Sequence, residues 1–354
     1  MELRETDKIL IDAVIHRAER LCPEALDLIA VYGSVLTGDT WEKSDLDLAI
    51  VINSPAGYEL AQTFLLEDSG IGYDLYCTTW EQLEEMPRYP NPQLAKLMDS
   101  VVVWRRNEEA EARLTCLRAE CAEKLAAPFS ENDLAGARDQ LRAAEHSFAL
   151  AMTAASFSEA RLHAYGAVQS SMDAVMLVSK RYYRKGVRRV FDELREAGAP
   201  EGFEELSAAV IKARTADELR ASLTALMRLM EAFAAETAKR FAAPKQPPTP
   251  EALRGTYEEM CSNWAGKLLL AEQTGDRWLA FASESSLQNM LGEIGDAVEL
   301  PDFDVLAGYD PDDLPATRAR FLECLDRYRA FCESCGLHIC TYPDAQAFRE
   351  AYCK

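Results

Sequence analysis

No stretch of this chain approaches the roughly 18 consecutive apolar residues that a membrane-spanning helix needs, so a helical membrane protein is not expected. Positive charge is scarce as well: 38 Lys and Arg stand against 59 Asp and Glu, a net charge of -21. A surface that acidic repels phosphate backbones over long range, which argues against a large nucleic acid as partner and favours a cationic small molecule. Acidity in the service of solubility is an equally good account. The N-terminus lacks the apolar block of a signal peptide. MELRETDKILIDAVIHRAERL instead spaces Ile9, Ala13 and His16 to Ala18 as in an amphipathic helix, so a cytoplasmic location is expected. No internal repeat recurs at a fixed period.

What is present is ordinary globular composition, 48% hydrophobic and 27% charged, in 354 residues. That length has room for two or three domains of roughly 100 to 200 residues. Cysteine is plentiful, ten in all, and in a cytoplasmic chain these read as thiols rather than disulfides. Cys332, Cys335, His338 and Cys340 in FCESCGLHIC offer four soft ligands. Zinc ligand pairs usually face each other across a longer loop, so partly buried thiols are the first reading and structural zinc the alternative.

The strongest break is AAPKQPPTPEAL, too rich in proline for helix and suited to a stiff linker. A softer one lies near residues 105 to 130. Before it, LIAVYGS, LDLAIVI, GYDLYCTT and SVVVW read as strands, with AGYELAQTFLLEDSG and NPQLAKLMDS as helices between them. After it, long segments carry apolar residues at spacings of three and four, and Ser130 with Asp133 resembles a helix start. The expected fold is α+β: a small mixed-sheet domain over 1–108, a helical bundle over 109–243, and an additional helical domain over 251–354. In that last part Trp264, Lys267, Trp278 and Phe281 are expected in core packing, ahead of a lid or a dimer contact.

The chemistry gathers in YGSVLTGDTWEKSDLDLAIV. If DLDLAIVI is a strand, Asp45 and Asp47 share a face, and like charges side by side are costly unless something cationic sits between them. A pair of hard oxygen ligands suits Mg²⁺, one or two ions, held together with substrate phosphates. Gly33 lets the backbone approach a phosphate, and Ser34 offers a hydroxyl and an amide N–H. Asp74 in IGYDLYCTTW is the expected third carboxylate, provided its strand lies beside the first. The set Asp45, Asp47 and Asp74 then describes metal-assisted nucleotidyl transfer from a nucleoside triphosphate.

The pattern Gly33-Ser34, Gly38, then Ser44-Asp45-x-Asp47 and an apolar strand resembles the signature of the DNA polymerase β-type nucleotidyltransferase superfamily. The segment LHAYGAVQSSMDAVMLVSKRYYRKGVRRVFDELREAGAPEGFEEL further resembles the helical domain of kanamycin-type aminoglycoside nucleotidyltransferases, in the class of HEPN domains. The likeness runs over about residues 25 to 240 and is loose outside the signature.

The resemblance implies a nucleotidyltransferase fold, with Gly33, Ser34 and Ser44 at the nucleotide and ATP as the expected triphosphate. It also implies a glutamate base on the acceptor hydroxyl, often across a dimer interface. Counted from SKRYY, its nearest counterpart is Glu145, so a homodimer is an expectation too. Ala149 stands where those enzymes carry a phosphate-binding lysine, a departure from the drug-resistance pattern, and a solvated helix position is the alternative for Glu145. Lys180 and Lys185 either neutralise the triphosphate or complement a helix dipole. Ribonuclease chemistry of the HEPN kind is not expected, because Arg161 with His163 and Arg142 with His146 are spaced too closely. The expected activity is Mg²⁺-dependent transfer of AMP from ATP to a hydroxyl of a small molecule, with release of pyrophosphate. The alternatives are a silent or regulatory nucleotide-binding protein of toxin–antitoxin or sensor type, and AMP transfer to a protein hydroxyl.

Overall fold

A computed structural model describes residues 3–88, 90–242 and 244–353. The chain forms two compact units, Met1–Ala242 and Ala243–Lys354. The first is an α+β unit with a small mixed sheet followed by helices.

Helix α1 (Glu5–Leu21) leads into strand β1 (Leu26–Tyr32), a short α2 (Ser34–Thr37) and β2 (Asp47–Ile52). Strands β3 (Gln62–Leu66) and β4 (Ile71–Leu75) form a separate hairpin, and β5 (Cys77–Thr79) follows. Helices α3 (Trp80–Glu85) and α4 (Ala95–Met98), strand β6 (Val101–Arg105) and helix α5 (Glu108–Ala126) complete this part. The main sheet runs β5-β2-β1-β6, with β1 antiparallel to β2 and β6, and β2 parallel to β5.

Strands β1 and β2 are near-continuous apolar runs because both faces of the sheet are covered. Ile29, Val31, Leu48, Ile50 and Ile52 pack with Leu10, Ile11 and Val14 of α1. Leu28 and Val51 point the other way, against Trp80, Leu83, Leu97 and Leu114. Each such side chain, taken from water, is worth about 1.5–3 kcal/mol. Helix α5, read from sequence with the bundle, thus packs on the sheet through Ala110, Leu114, Leu117 and Cys121.

The segment AGYELAQTFLLEDSG, expected as a helix, is a 3-10 turn over Pro55–Leu60 followed by β3. Pairing with β4 decides this: Phe64 sits opposite Tyr73 and stacks on it at 5.5 Å, and a cross-strand aromatic pair outweighs the weak helical pattern. Only four residues of NPQLAKLMDS are helical.

Helices α6 (Glu131–Thr153), α7 (Phe157–Val178), α8 (Val190–Glu196), α9 (Phe203–Lys212) and α10 (Ala216–Ala238) follow. Helix α6 starts at a reciprocal cap between Ser130 and Asp133. Small residues on α7, Ala160, Ala164 and Ala167, are fully buried with Leu219, Leu223, Leu226 and Met230 of α10 in one core.

In the second unit, helices α11 (Pro250–Leu253), α12 (Thr256–Met260), α13 (Gly266–Thr274), α14 (Arg277–Ala297), α15 (Leu314–Ser334) and α16 (Ala345–Tyr352) follow the proline-rich segment. Its core gathers Leu268, Leu287, Phe321, Leu325 and Tyr328. Trp264 packs at its margin, but Trp278 is 74% exposed and Phe281 43% exposed. These two form a surface array with Tyr309, so the expectation of core packing fails for them. Glu284, in contrast, is buried in α14 without a partner on Oε2. Cys332 is buried and Cys340 exposed, with the Cys340 thiol donating to the Tyr342 hydroxyl at 3.4 Å.

Candidate active site

The site is built where β1 ends. Gly33 turns the chain at φ +79, a conformation that favours glycine. A Cβ there would run into Oδ2 of Asp47 and lie 2.8 Å from its Cγ. The turn therefore rests directly on the first residue of β2, which pairs with Tyr32 across the sheet. Ser34 opens α2, and its side-chain oxygen takes no hydrogen-bond partner among the described residues.

Strand β2 begins at Asp47, so Asp45 lies in the extended approach to it rather than within it. Leu46 between them is buried at 3% exposure, Asp45 is exposed and Asp47 half-buried, which preserves the alternation of a strand. Ser44 is buried, and its Oγ accepts the Trp41 N–H at 2.9 Å while its own N–H donates to the Trp41 carbonyl at 3.0 Å. It thus holds the loop that delivers the two aspartates.

The parallel register of β2 with β5 pairs Ile50 with Cys77. That pairing stops at Ile50, and Asp74 lies beyond it on β4, where it pairs with Thr63 of β3. The Asp74 carboxylate, exposed on β4, accepts the Thr63 hydroxyl at 3.0 Å. Its charge reaches the same place as the other two: burial first, and then Asp47, Asp45 and Asp74 in turn, push the Tyr32 hydroxyl up to about 12. Among the described residues no three metal-ligating side chains stand close enough to form a finished cage.

Asp47 carries the electrostatic cost. Burial, reinforced by the charge of Asp45, pushes its carboxyl up to about 6, and Lys96 pulls in the other direction. No hydrogen bond or ion pair among the described residues offsets that cost. Lys96, on α4, is a cation the sequence did not point to, and its charge acts on Asp47 from beyond ion-pair distance. Its Nζ bonds to the Thr78 hydroxyl and lies 5.8 Å from the Tyr32 ring and 5.1 Å from the Tyr76 ring. Burial lowers its pKa, against the charges of Cys77 and Asp47. Nothing in NPQLAKLMDS signals this, because a four-residue helix has no periodicity from which to read a face.

The remaining expected residues lie in the helical part. Glu145 is exposed on α6 and makes no hydrogen bond or ion pair among the described residues. Lys180 sits just past α7 at φ 53, and its ammonium pairs with Asp133 at 3.1 Å. Lys185 pairs with Glu196 at 2.8 Å, and Arg184 with Asp99 at 2.9 Å. The basic cluster is thus matched by carboxylates of its own. One contact ties this part to the signature loop: Arg189 reaches Asp39 at 3.2 Å.

The turn and the two aspartates lie in one segment of the chain. Residues 15–100 match the family model of the nucleotidyltransferase domain. The matched domain holds every residue of the site described above, from Tyr32 and Gly33 to Lys96, and ends before β6. A nucleotidyltransferase-like protein from Exiguobacterium sibiricum 255-15 has a similar crystal structure, with 12% identity, 65% of this chain and 77% of that chain covered, and a TM-score of 0.38. No curated protein matches the chain. Among the described residues no helix is long and apolar enough to cross a membrane.

Proposed function

We propose that the nucleotidyltransferase domain transfers AMP from ATP to a hydroxyl of a small molecule, with Mg²⁺, releasing pyrophosphate. The observation that carries this reading is the contact of the Gly33 turn with the Asp47 carboxylate. A phosphate taken up by the turn then lies beside the residue that holds the metal.

The donor set fits Mg²⁺. The ion binds through one or two carboxylates and completes its shell with waters and substrate phosphates, and Asp45 with Asp47 supplies that many hard oxygens. Asp47, half-buried and burdened by its neighbour, is also a carboxylate that a dication would relieve. The ion, when bound, supplies positive charge at the reacting phosphate.

The chain's own residues do the rest. Gly33 and Ser34 hold the β and γ phosphates, the Ser34 hydroxyl donating. Ser44 keeps the loop in place so that Asp45 and Asp47 arrive together. Asp74, whose charge reaches Tyr32 together with those of Asp47 and Asp45, is our candidate for the third carboxylate. We assign the phosphate-facing cation to Lys96, since Lys180 and Lys185 are already paired with Asp133 and Glu196. The acceptor oxygen attacks the α-phosphorus, the bond to the bridging oxygen of the leaving pyrophosphate breaks, and the acceptor proton passes to a carboxylate, for which Glu145 is our candidate.

Incubation with α-labelled ATP, Mg²⁺ and a panel of hydroxylated small molecules, cationic ones first, tests this. The expected result is a labelled acceptor with equimolar pyrophosphate, absent for Asp47→Asn. An Asp47→Asn protein that still transfers label would remove the assignment.

A further inference from the structure

A recess lies in the helical part of the first unit, away from the signature residues. It has a volume of about 700 Å³ and is walled by Val168 and Met172 of α7, Val190 and Phe191 of α8, and Val210 of α9. That size is within the range of small-molecule sites, roughly 300–1,000 Å³. Its rim is apolar and open to solvent: Tyr165 is 68% exposed, Val187 91% and Ile211 65%. Three exposed apolar side chains around one opening are more than scattered surface hydrophobes require.

The polar groups inside are few and unbalanced. Asp173 lines the recess half-buried, and its Oδ1 accepts from Gln169 Nε2 at 3.1 Å. Burial pushes its carboxyl up, against the hydrogen bonding around it. The Tyr183 hydroxyl lies beside it, close enough for the Asp173 charge to act on its ionisation. Burial, and then the Asp173 charge, push the Tyr183 hydroxyl up, and its buried oxygen meets no full hydrogen-bond geometry among the described residues.

Among the described residues, neither cation lining the recess is free to neutralise Asp173. Lys185 is paired with Glu196 at 2.8 Å. Arg161 lies more than three turns back on α7, about 18 Å along the axis, where it donates to the Ala213 carbonyl at 3.0 Å and covers the Phe157 ring at 4.0 Å. A half-buried carboxylate without a counter-charge costs some stability and is open to a cation that would offset that cost.

We propose that this recess is a binding site for a small organic amine, its ammonium held by Asp173 with Gln169 and Tyr183 and its hydrocarbon laid along Val168 and Met172. The apolar walls select against a bare metal ion, and the carboxylate selects against neutral and anionic amphiphiles. The acidic surface, with a net charge of -21, draws such a cation in from a distance. The inference does not rest on nucleotidyl transfer.

Titration calorimetry of the full chain, free of nucleotide and metal, with octylamine, octan-1-ol and octanoate tests it. These probes share one hydrocarbon and differ in head charge. The amine should bind at least about tenfold more tightly than the alcohol, the value of one charge-assisted hydrogen bond, and octanoate should bind least. Asp173→Asn should reduce the amine to the affinity of the alcohol and leave the alcohol unchanged. Tyr165→Ala should weaken both without altering their ratio. Equal affinity of amine and alcohol for the wild type, or a preference for the amine that survives Asp173→Asn, would overturn the proposal. The wild-type comparison decides even if the Asp173 variant does not fold. A protein that binds the amine but transfers no nucleotide would keep this site and lose only the proposed activity.

Discussion

Replacing Asp47 by Asn should make the metal-free protein more stable while removing its activity. The carboxyl of Asp47 is raised from 3.8 to about 6, a little over two pH units. At about 1.4 kcal/mol per unit the ceiling is ~3 kcal/mol, and solvent screening of a half-buried group brings the expected gain to ~1–2 kcal/mol.

The sign follows from which state holds the proton more tightly. The folded chain does, so the contribution of Asp47 is fully present below its unfolded value near 3.8 and is lost as pH rises through about 6. Asparagine titrates nowhere in this range. The two proteins should therefore match near pH 4 and diverge by pH 7.5, where the variant should melt roughly 3–6 °C higher. Thermal and urea unfolding in EDTA, at both pH values, measures this. Adding Mg²⁺ should narrow the gap by stabilising the wild type alone. A variant that is less stable than wild type at pH 7.5 in EDTA, or a difference that ignores pH, would refute the reasoning.

Gly33→Ala combines a left-handed backbone with a Cβ that meets the Asp47 carboxylate. It should cost about 2–4 kcal/mol, read by urea unfolding, and it should abolish nucleotide binding. Lys96→Met should move the acid limb of the pH–rate profile upward, because the Lys96 charge now holds the Asp47 carboxyl down; an unmoved limb would place Lys96 outside the site. Glu145→Gln should lower kcat with little change in KM for ATP if this exposed carboxylate takes the acceptor proton, and unchanged kinetics would return it to the solvated surface. Glu284 is pushed up to about 7 by burial, so its stabilising contribution is lost as pH rises through 7. Glu284→Gln should then raise the stability of the second unit at pH 8 by ~2–3 kcal/mol and leave it unchanged near pH 4.

How much of this was readable from sequence depends on how local each feature is. The Gly33 turn, Asp45 and Asp47 lie in one short stretch, and strand alternation alone sets the last two side by side. The long helices were readable because their apolar stripes persist over many turns, as from Leu219 to Met230 on α10. Lys96 was not readable, since its place depends on a four-residue helix set against β5 and on a ring from β1. Strand β3 was misread as helix because its partner, β4, supplies the pairing energy that its own residues do not advertise. Trp278 was expected in a core on the strength of residue type alone, whereas a large aromatic at the second position of a helix can face solvent when its neighbours on α14 fill the core. The recess at Asp173 is a product of three helices meeting, which no single segment foretells.

The central claim is that Asp45 and Asp47 hold a metal–nucleotide complex. Calorimetric titration of ATP into the wild type and into the Asp45→Asn/Asp47→Asn protein, with and without Mg²⁺, tests it most directly. The account predicts binding that requires both the metal and the two carboxylates. Binding that persists in the double variant with Mg²⁺ present, or no binding by the wild type, would contradict it.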